Sequence, residues 1–510
     1  MLQYRTFLSF CYNFFRGLSL GKACLLLPLL GSFGGVLHAQ FESKKIWSLD
    51  EVIRTAQEQS PEYLKVKNQQ RSSYWQYVSF KSNNLPQLML RADAPDLSRT
   101  IIPVIQNDGS EAFRERSLSS SSVDLMLSQN ILPTGGTFFL TSQLSRIDIL
   151  GGVSSTSYLS YPLLAGIRQP LFTFNALKWS QRIEPLRYEE AKREFSEKME
   201  EIALQATRQF FDLLLAQSNL QIAIQNEGVL DSIFRRGQGR FSLGKITESD
   251  LLQLELNWLN ASQSTARARL ALAAQSAKMK IFLGINDLQT FQLQVPDAPS
   301  SFLIQEEQAL TEARKYRSNY LQFERRKLEA ARQVAQARGN NGFNMNITAS
   351  FGLSQSALSF QEVYQNLQDQ QRFRLSFEVP ILDWGRAKAA IRLSLANQQI
   401  TEIELGQAQK NFEQDLLFKV QLWNITRQQL QIAEKAQEIA RKRYEIAQEN
   451  YLLGKISIIE LSMALQEQDA AFRSYLQNLQ DAWVSFFAIR QLTLFDFEQQ
   501  SPIQYKIQED

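Results

Sequence analysis

The sequence predicts a mainly helical protein with some β-structure. Long antiparallel helical hairpins form a shared α-barrel, strands are contributed to a shared transmembrane β-barrel, and the whole is built on an internal two-fold structural repeat. Three observations predict this: long proline-free stretches with helical apolar spacing, short segments that alternate polar and apolar residues, and landmarks recurring at fixed offsets. Of these the repeat is the most informative, because a fixed period decides how every later segment is read.

Asn83-Asn84 and Asn340-Asn341 each close a helical pattern and open a strand-like one, 257 positions apart. Ala56 and Ala313 share that offset, as do Tyr63 and Tyr320. Pro170-Leu171-Phe172 answers Pro380-Ile381-Leu382 at an offset of 210, and Phe241–Ile246 answers Tyr451–Ile456 at the same offset. The chain is thus two copies of one unit, with about 47 additional residues in the first copy between Pro86 and Pro170. The expected organisation is a signal segment at 1–39, a first repeat at 40–295, a second at 296–500 and a tail at 501–510. Strands are expected at about 86–170 and 343–380, and hairpin tips at about 237–247 and 450–456.

The first forty residues have the order of a secretory signal. Arg5, Arg16 and Lys22 precede an apolar stretch from Ala23 to Leu37, and His38-Ala39-Gln40 follows, so removal is expected near Ala39. Pro28, Gly31, Gly34 and Gly35 interrupt the stretch, which is too broken for a spanning helix. A lipid anchor is not expected, because Cys24 lies close to Lys22 at the start of the apolar run and no cysteine follows that run. Cys11, Cys24 and His38 are the only cysteines and histidine. A processed chain would have neither residue type, which excludes the usual zinc sites, thiol catalysis and His-assisted triads. Lys+Arg number 55 against 52 Asp+Glu, and the signal carries three of the bases and no acid, so the processed chain is neutral. Neutrality argues against nucleic-acid binding, which depends on neutralising many phosphates.

No proline occurs from Leu186 to Val295 or from Ile381 to Ser501. Arg386–Asn450 reads as a single helix of about 65 residues, roughly 100 Å long. Phe412, Leu416, Val420 and Trp423 form its apolar row. In the first copy the row runs through Met199, Ile202, Ala206, Phe210, Leu213, Ala216, Leu220 and Ala223, with the three–four spacing of a helix–helix seam. The charged run Glu189–Glu201 is expected to be a solvated face.

Asn344–Ser354 and Arg372–Val379 alternate polar and apolar without a break, as a strand with one dry and one wet face does. In the first copy Leu88, Leu90 and Ala92 alternate, as do Leu125 and Leu127. The segments Ser98–Ser122 and Ser356–Gln371 look loop-like. The dry face could cover a soluble core, but helices this long do not suit a compact domain, and nothing polar-to-apolar is left over to cover the sheet. Export together with short alternating strands favours an outer-membrane barrel. Four strands per chain are expected, with the surplus first-copy residues forming an extracellular or barrel-edge hairpin; the alternative is that Val123–Ile131, Phe138–Arg146 and Tyr158–Gln169 are three strands after the one at Leu88, making six per subunit and a wider barrel. Four strands cannot close a ring, which takes about eight or more, and an open edge cannot sit in lipid. The barrel must therefore be shared between subunits.

No residues are singled out as catalytic, cofactor-binding or metal-binding, and no cofactor is expected. Gly237-x-Gly239 is read as a turn rather than a dinucleotide fingerprint, and Pro133-Thr-Gly-Gly136 as a tight strand turn. Leu243-Gly244-Lys245 and Leu453-Gly454-Lys455 each join two long helices and are followed six residues past the glycine by Asp250 or Glu460. Helix capping alone accounts for that local pattern.

These stretches, in this order, resemble the TolC-like outer-membrane efflux protein family (the outer membrane factors). The matching segments are Leu49–Pro86, Gln169–Ala176, Phe241–Asp250, Glu378–Arg386 and Tyr451–Glu460. The resemblance implies a homotrimer with a 12-stranded outer-membrane barrel continuous with a 12-helix periplasmic tunnel. It further implies a periplasmic adaptor protein gripping the tips Leu243, Gly244, Lys245, Leu453, Gly454 and Lys455, and an inner-membrane transporter beyond it. Glu460 matches an acid of a negatively charged ring at the tunnel entrance in some members, whereas Met463 stands where a second acid would fall. Arg372, Arg374 and Glu378 would then line the barrel lumen while Phe373, Leu375, Phe377 and Val379 meet lipid. The function expected is passive conduction from a periplasmic tunnel through the outer membrane, in efflux or type I secretion. The rival reading is a periplasmic coiled-coil scaffold without a channel.

Overall fold

The computed structural model describes residues 46–106, 108–150, 154–285, 291–453 and 455–506. The expected signal segment and Gly454 lie outside the described residues, as does the end of the tail. The first repeat runs β1 (Ile46–Trp47), α1 (Leu49–Gln59), α2 (Pro61–Ser82), β2 (Gln87–Ile105), β3 (Glu111–Ile131), β4 (Gly136–Leu150), β5 (Ser155–Leu171), α3 (Ala176–Ser242) and α4 (Glu248–Leu283). The second runs β6 (Gln292–Leu293), α5 (Glu306–Tyr316), α6 (Ser318–Asn340), β7 (Asn344–Ala357), β8 (Gln368–Glu378), α7 (Arg386–Leu452) and α8 (Ile458–Thr493), and β9 (Phe495–Asp496) and β10 (Ser501–Pro502) follow.

Helix lengths repeat almost residue for residue. Helices α1 and α5 have 11 residues each, α3 and α7 have 67, and α4 and α8 have 36. Local chemistry sets several of their ends. Ser48 and Glu51 form a reciprocal capping box at α1. Ser60 caps α2 with Pro61 in its first turn, where the missing amide hydrogen has no cost. Asn175 accepts from the Lys178 amide to open α3.

The sheet has six strands in the order β2-β3-β4-β5-β7-β8, and every neighbouring pair is antiparallel. This corrects the expectation of four. The surplus first-copy residues are not a separate flap. They form the β3–β4 hairpin, which pairs with β2 on one side and β5 on the other. Ser98–Ser122, read as loop, belongs largely to β2 and β3. That stretch hid because Ser117 and Ser119–Ser122 carry no apolar alternation; backbone pairing to Asp93–Ser98 and Arg99 holds them in register.

Cross-strand partners share a face of the sheet. One face carries Leu88 and Leu90 of β2, Leu125 and Leu127 of β3, Leu140 and Leu144 of β4, Ala165 and Ile167 of β5, Ile347 and Ala349 of β7, and Leu375 and Phe373 of β8. These side chains form one apolar band, uncovered in the single chain: Leu90 is 68% exposed and Phe373 71%. The opposite face is mostly polar.

The largest buried cluster lies at mid-length of the long helices. Phe210, Phe211 and Leu213 of α3 meet Leu416, Val420 and Trp423 of α7, with Leu476 and Leu479 of α8 and Met279 of α4. Trp423 donates its indole N–H to the Phe302 carbonyl, tying the linker before α5 to this core. The strand pairs β1–β6 and β9–β10 flank it.

The charged run Glu189–Glu201 is not the solvated face expected. Glu190, Glu197 and Glu200 are buried, and each meets an arginine of the second repeat: Arg325, Arg317 and Arg490 respectively. Lys192–Glu189 and Lys198–Glu201 are the local surface pairs of the run. The spacing of the three buried acids along α3 puts them on one stripe, and their partners lie too far along the chain for local patterning to reveal.

Candidate functional site

Two features stand at opposite ends of the long helices: the six-stranded sheet and the two hairpin tips. Strands β2 and β7 follow α2 and α6, and β5 and β8 lead into α3 and α7, so every helical connection leaves one end of the sheet. The tips lie at the other end of α3 and α7, roughly 100 Å away along 67 helical residues.

The first tip is tighter than expected, because Gly237 and Gly239 lie inside α3 and not in a turn. Gly237 is there for close approach: a Cβ on it would stand 2.5 Å from Cδ1 of Leu254 on α4. The turn itself spans Leu243 to Thr247. Gly244 takes a φ of +62°, which suits glycine, and the Lys245 amide donates back to the Arg240 carbonyl. Leu243 and Lys245 are exposed. In the second tip Leu453 and Lys455 are likewise exposed, and the Lys455 amide donates to the Asn450 carbonyl.

Both acids after the tips sit in capping boxes. Asp250 accepts from the Thr247 amide and hydroxyl, while its own amide donates to that hydroxyl. Glu460 does the same with Ser457, at 2.7 Å from the amide and 2.9 Å from the hydroxyl. These bonds hold both carboxyls below the usual carboxylate range: the Thr247 hydroxyl contributes most at Asp250, and the Ser457 amide at Glu460. Glu460 is therefore an exposed, charged helix-starting residue. The hydroxyls of Thr247 and Ser457 complete these sites, and their place three residues before the acids is the signal that marks them in sequence.

On the sheet, Arg372, Arg374 and Glu378 lie on the polar face, opposite Ser350, Thr348 and Asn344. The same face takes Arg91 and Asp124, which stand opposite each other on β2 and β3, and Arg168 of β5. Sequence reading missed these three, because only the register shows which side of the sheet they occupy. Phe373, Leu375 and Phe377 share the apolar face. Below the sheet Asp383 accepts from the amides of Gly385 and Ala387 and so starts α7.

The sequence model described as outer membrane efflux protein matches residues 52–284 and 310–493. The chain belongs to the outer membrane efflux protein family. Membership makes it an outer-membrane efflux protein, which suits a sheet with an exposed apolar band. No described helix is long and apolar enough to cross a membrane. Solved structures share the fold. The Campylobacter jejuni CmeC outer membrane channel is 15% identical with a TM-score of 0.63, over 95% of this chain and 96% of that one. The Neisseria gonorrhoeae MtrE outer membrane channel, in its open state, is 15% identical with a TM-score of 0.59, over 87% and 88%. The Vibrio cholerae outer membrane protein VceC is 11% identical with a TM-score of 0.60, over 87% and 95%. No curated protein matches this efflux protein by sequence.

Proposed function

We propose that three copies of the chain form a conduit that carries cargo passively from a periplasmic tunnel through the outer membrane, as the exit of a tripartite efflux or type I secretion system. The observation that carries this reading is the apolar band on an open-edged sheet at the far end of long helical hairpins. Band residues exposed to the extent of Leu90 and Phe373 need lipid or another subunit against them. A soluble scaffold would leave that band in water, which counts against the coiled-coil alternative.

In this conduit Arg372, Arg374 and Glu378 line a wet lumen together with Arg91, Asp124 and Arg168. The tips Leu243, Gly244, Lys245, Leu453, Gly454 and Lys455 contact a periplasmic adaptor protein, which couples the tunnel to an inner-membrane transporter. Exposed leucine beside exposed lysine gives each tip an apolar contact and a cation. Glu460 sets negative charge at the tunnel mouth, favouring cations over anions there. Energy comes from the transporter, and the chain's own part is to open and to conduct.

Cell fractionation followed by detergent extraction tests the reading. An oligomer in the outer-membrane fraction is the expected result. A soluble monomer in the periplasmic fraction would overturn it.

A further inference from the structure

The six strands of one chain carry one continuous apolar face, and the β3–β4 hairpin takes part in it as fully as the strands that the two repeats have in common. Leu125 and Leu127 of the hairpin stand opposite Leu90 and Leu88 on one side, and Leu140 stands opposite Ala165 on the other. An extracellular flap would have no reason to keep its leucines level with those of its neighbours.

We propose, on the trimeric reading above, that the hairpin is wall and that the assembled barrel has eighteen strands, closed by β2 of each copy pairing with β8 of the next. Six strands are too few to close on themselves, and both edges expose unpaired backbone groups that lipid cannot satisfy. Because the sheet has six antiparallel members, β2 and β8 run in opposite directions, so joining them continues the same pattern around the ring. Both edge strands meet the helices at the same end of the sheet: β2 starts at Gln87 shortly after α2, and β8 ends at Glu378 shortly before α7.

The helical wall below the sheet has room for six strands. Helices α2, α3, α6 and α7 flank the sheet, with α2 on α3, α3 on α6 and α6 on α7. Four helices at 8–10 Å spacing occupy an arc of about 32–40 Å per chain. Six strands about 4.8 Å apart and tilted 35–45° occupy about 35–41 Å, whereas four would occupy only about 23–27 Å. Six strands thus fit over the helical wall without the path narrowing where tunnel meets barrel; because the resemblance itself sets twelve strands over twelve helices, the girth permits six strands and does not by itself require them. The ring would be about 36 Å across between backbone centres, against about 24 Å for twelve strands. The barrel then admits whatever the tunnel admits, and size selection falls to the helical end.

The test is cryo-electron microscopy of the full chain extracted in detergent, with the particle's protein mass measured by light scattering. Three copies with a barrel about 36 Å across are expected. Three copies with a barrel near 24 Å would overturn the eighteen-stranded wall and leave the channel reading standing. Two copies would overturn it as well, since twelve strands would then close the ring. A particle without any barrel would overturn the channel reading itself.

Discussion

Arg490 donates from Nε to a carboxylate oxygen of Glu200 at 3.0 Å, joining the last long helix of the second repeat to the first long helix of the first. Glu200 is fully buried and accepts a second bond from Arg490 and one from the Tyr505 hydroxyl at 2.7 Å, while Asp496 holds the other side of the guanidinium. Burial pushes the Tyr505 hydroxyl well above its ordinary pKa, with the Glu200 charge adding to the effect. Removing Glu200 leaves the half-buried Arg490 guanidinium with Asp496 as its one remaining carboxylate among the described residues. Glu200→Ala is expected to cost about 3–5 kcal/mol, and Tyr505→Phe, which loses one bond to a charged group, about 1.5–3 kcal/mol. Thermal unfolding in detergent should rank them in that order. An equal, small effect for both would remove the network from the stability of the helical midsection.

The tip caps depend on pH with a defined sign. Asp250 and Glu460 have folded-state pKa values below their ordinary ones. Their contribution is therefore fully present above the ordinary carboxylate value and is lost as pH falls through the depressed one. Amide hydrogen exchange, corrected for its intrinsic pH dependence, should show the starts of α4 and α8 equally protected at pH 7 and pH 5. Ser457→Ala removes the hydroxyl half of one cap, costing about 1 kcal/mol, so the Glu460 amide should exchange about five-fold faster. Unchanged exchange there would separate Ser457 from the cap.

Glu460→Gln and Asp250→Asn weaken equivalent caps but differ in their proposed place at the tunnel mouth. In planar bilayers the first should reduce cation selectivity and the second should leave it largely intact. Equal effects would trace the change to the caps and remove Glu460 from the entrance ring.

The two faces of the sheet can be told apart by arginine. Leu125→Arg in the inserted hairpin and Leu375→Arg in β8 both put a charge on the apolar band, at about 2–4 kcal/mol each near the bilayer centre. Ser128→Arg, on the polar face, should be tolerated. The readout is the amount of assembled protein in the outer membrane. If Leu125→Arg behaves like Ser128→Arg while Leu375→Arg does not, the hairpin lies away from lipid.

The skeleton was legible in the sequence because it is written in local periodicity. Leu416, Val420 and Trp423 mark a seam by spacing alone, and all three are buried in the helical core. Phe373, Leu375 and Phe377 mark a face by alternation. What was not legible depends on partners distant in the chain. The serine-rich stretch around Ser119–Ser122 has no pattern of its own and becomes strand through pairing with β2. Glu190, Glu197 and Glu200 look like surface charge until Arg325, Arg317 and Arg490 are brought to them. Gly237 looked like a turn because glycine signals both turns and close helix contacts, and only the position of Leu254 decides between them.

Single-channel recording of the purified full chain in a planar bilayer tests the conduit most directly. Discrete, long-lived current steps from the protein alone, without nucleotide or ion gradient beyond the applied voltage, are the predicted result. Protein that enters the bilayer as an oligomer yet passes no current, even when its hairpin tips are prised apart by charge substitutions at Leu243 and Leu453, would contradict it.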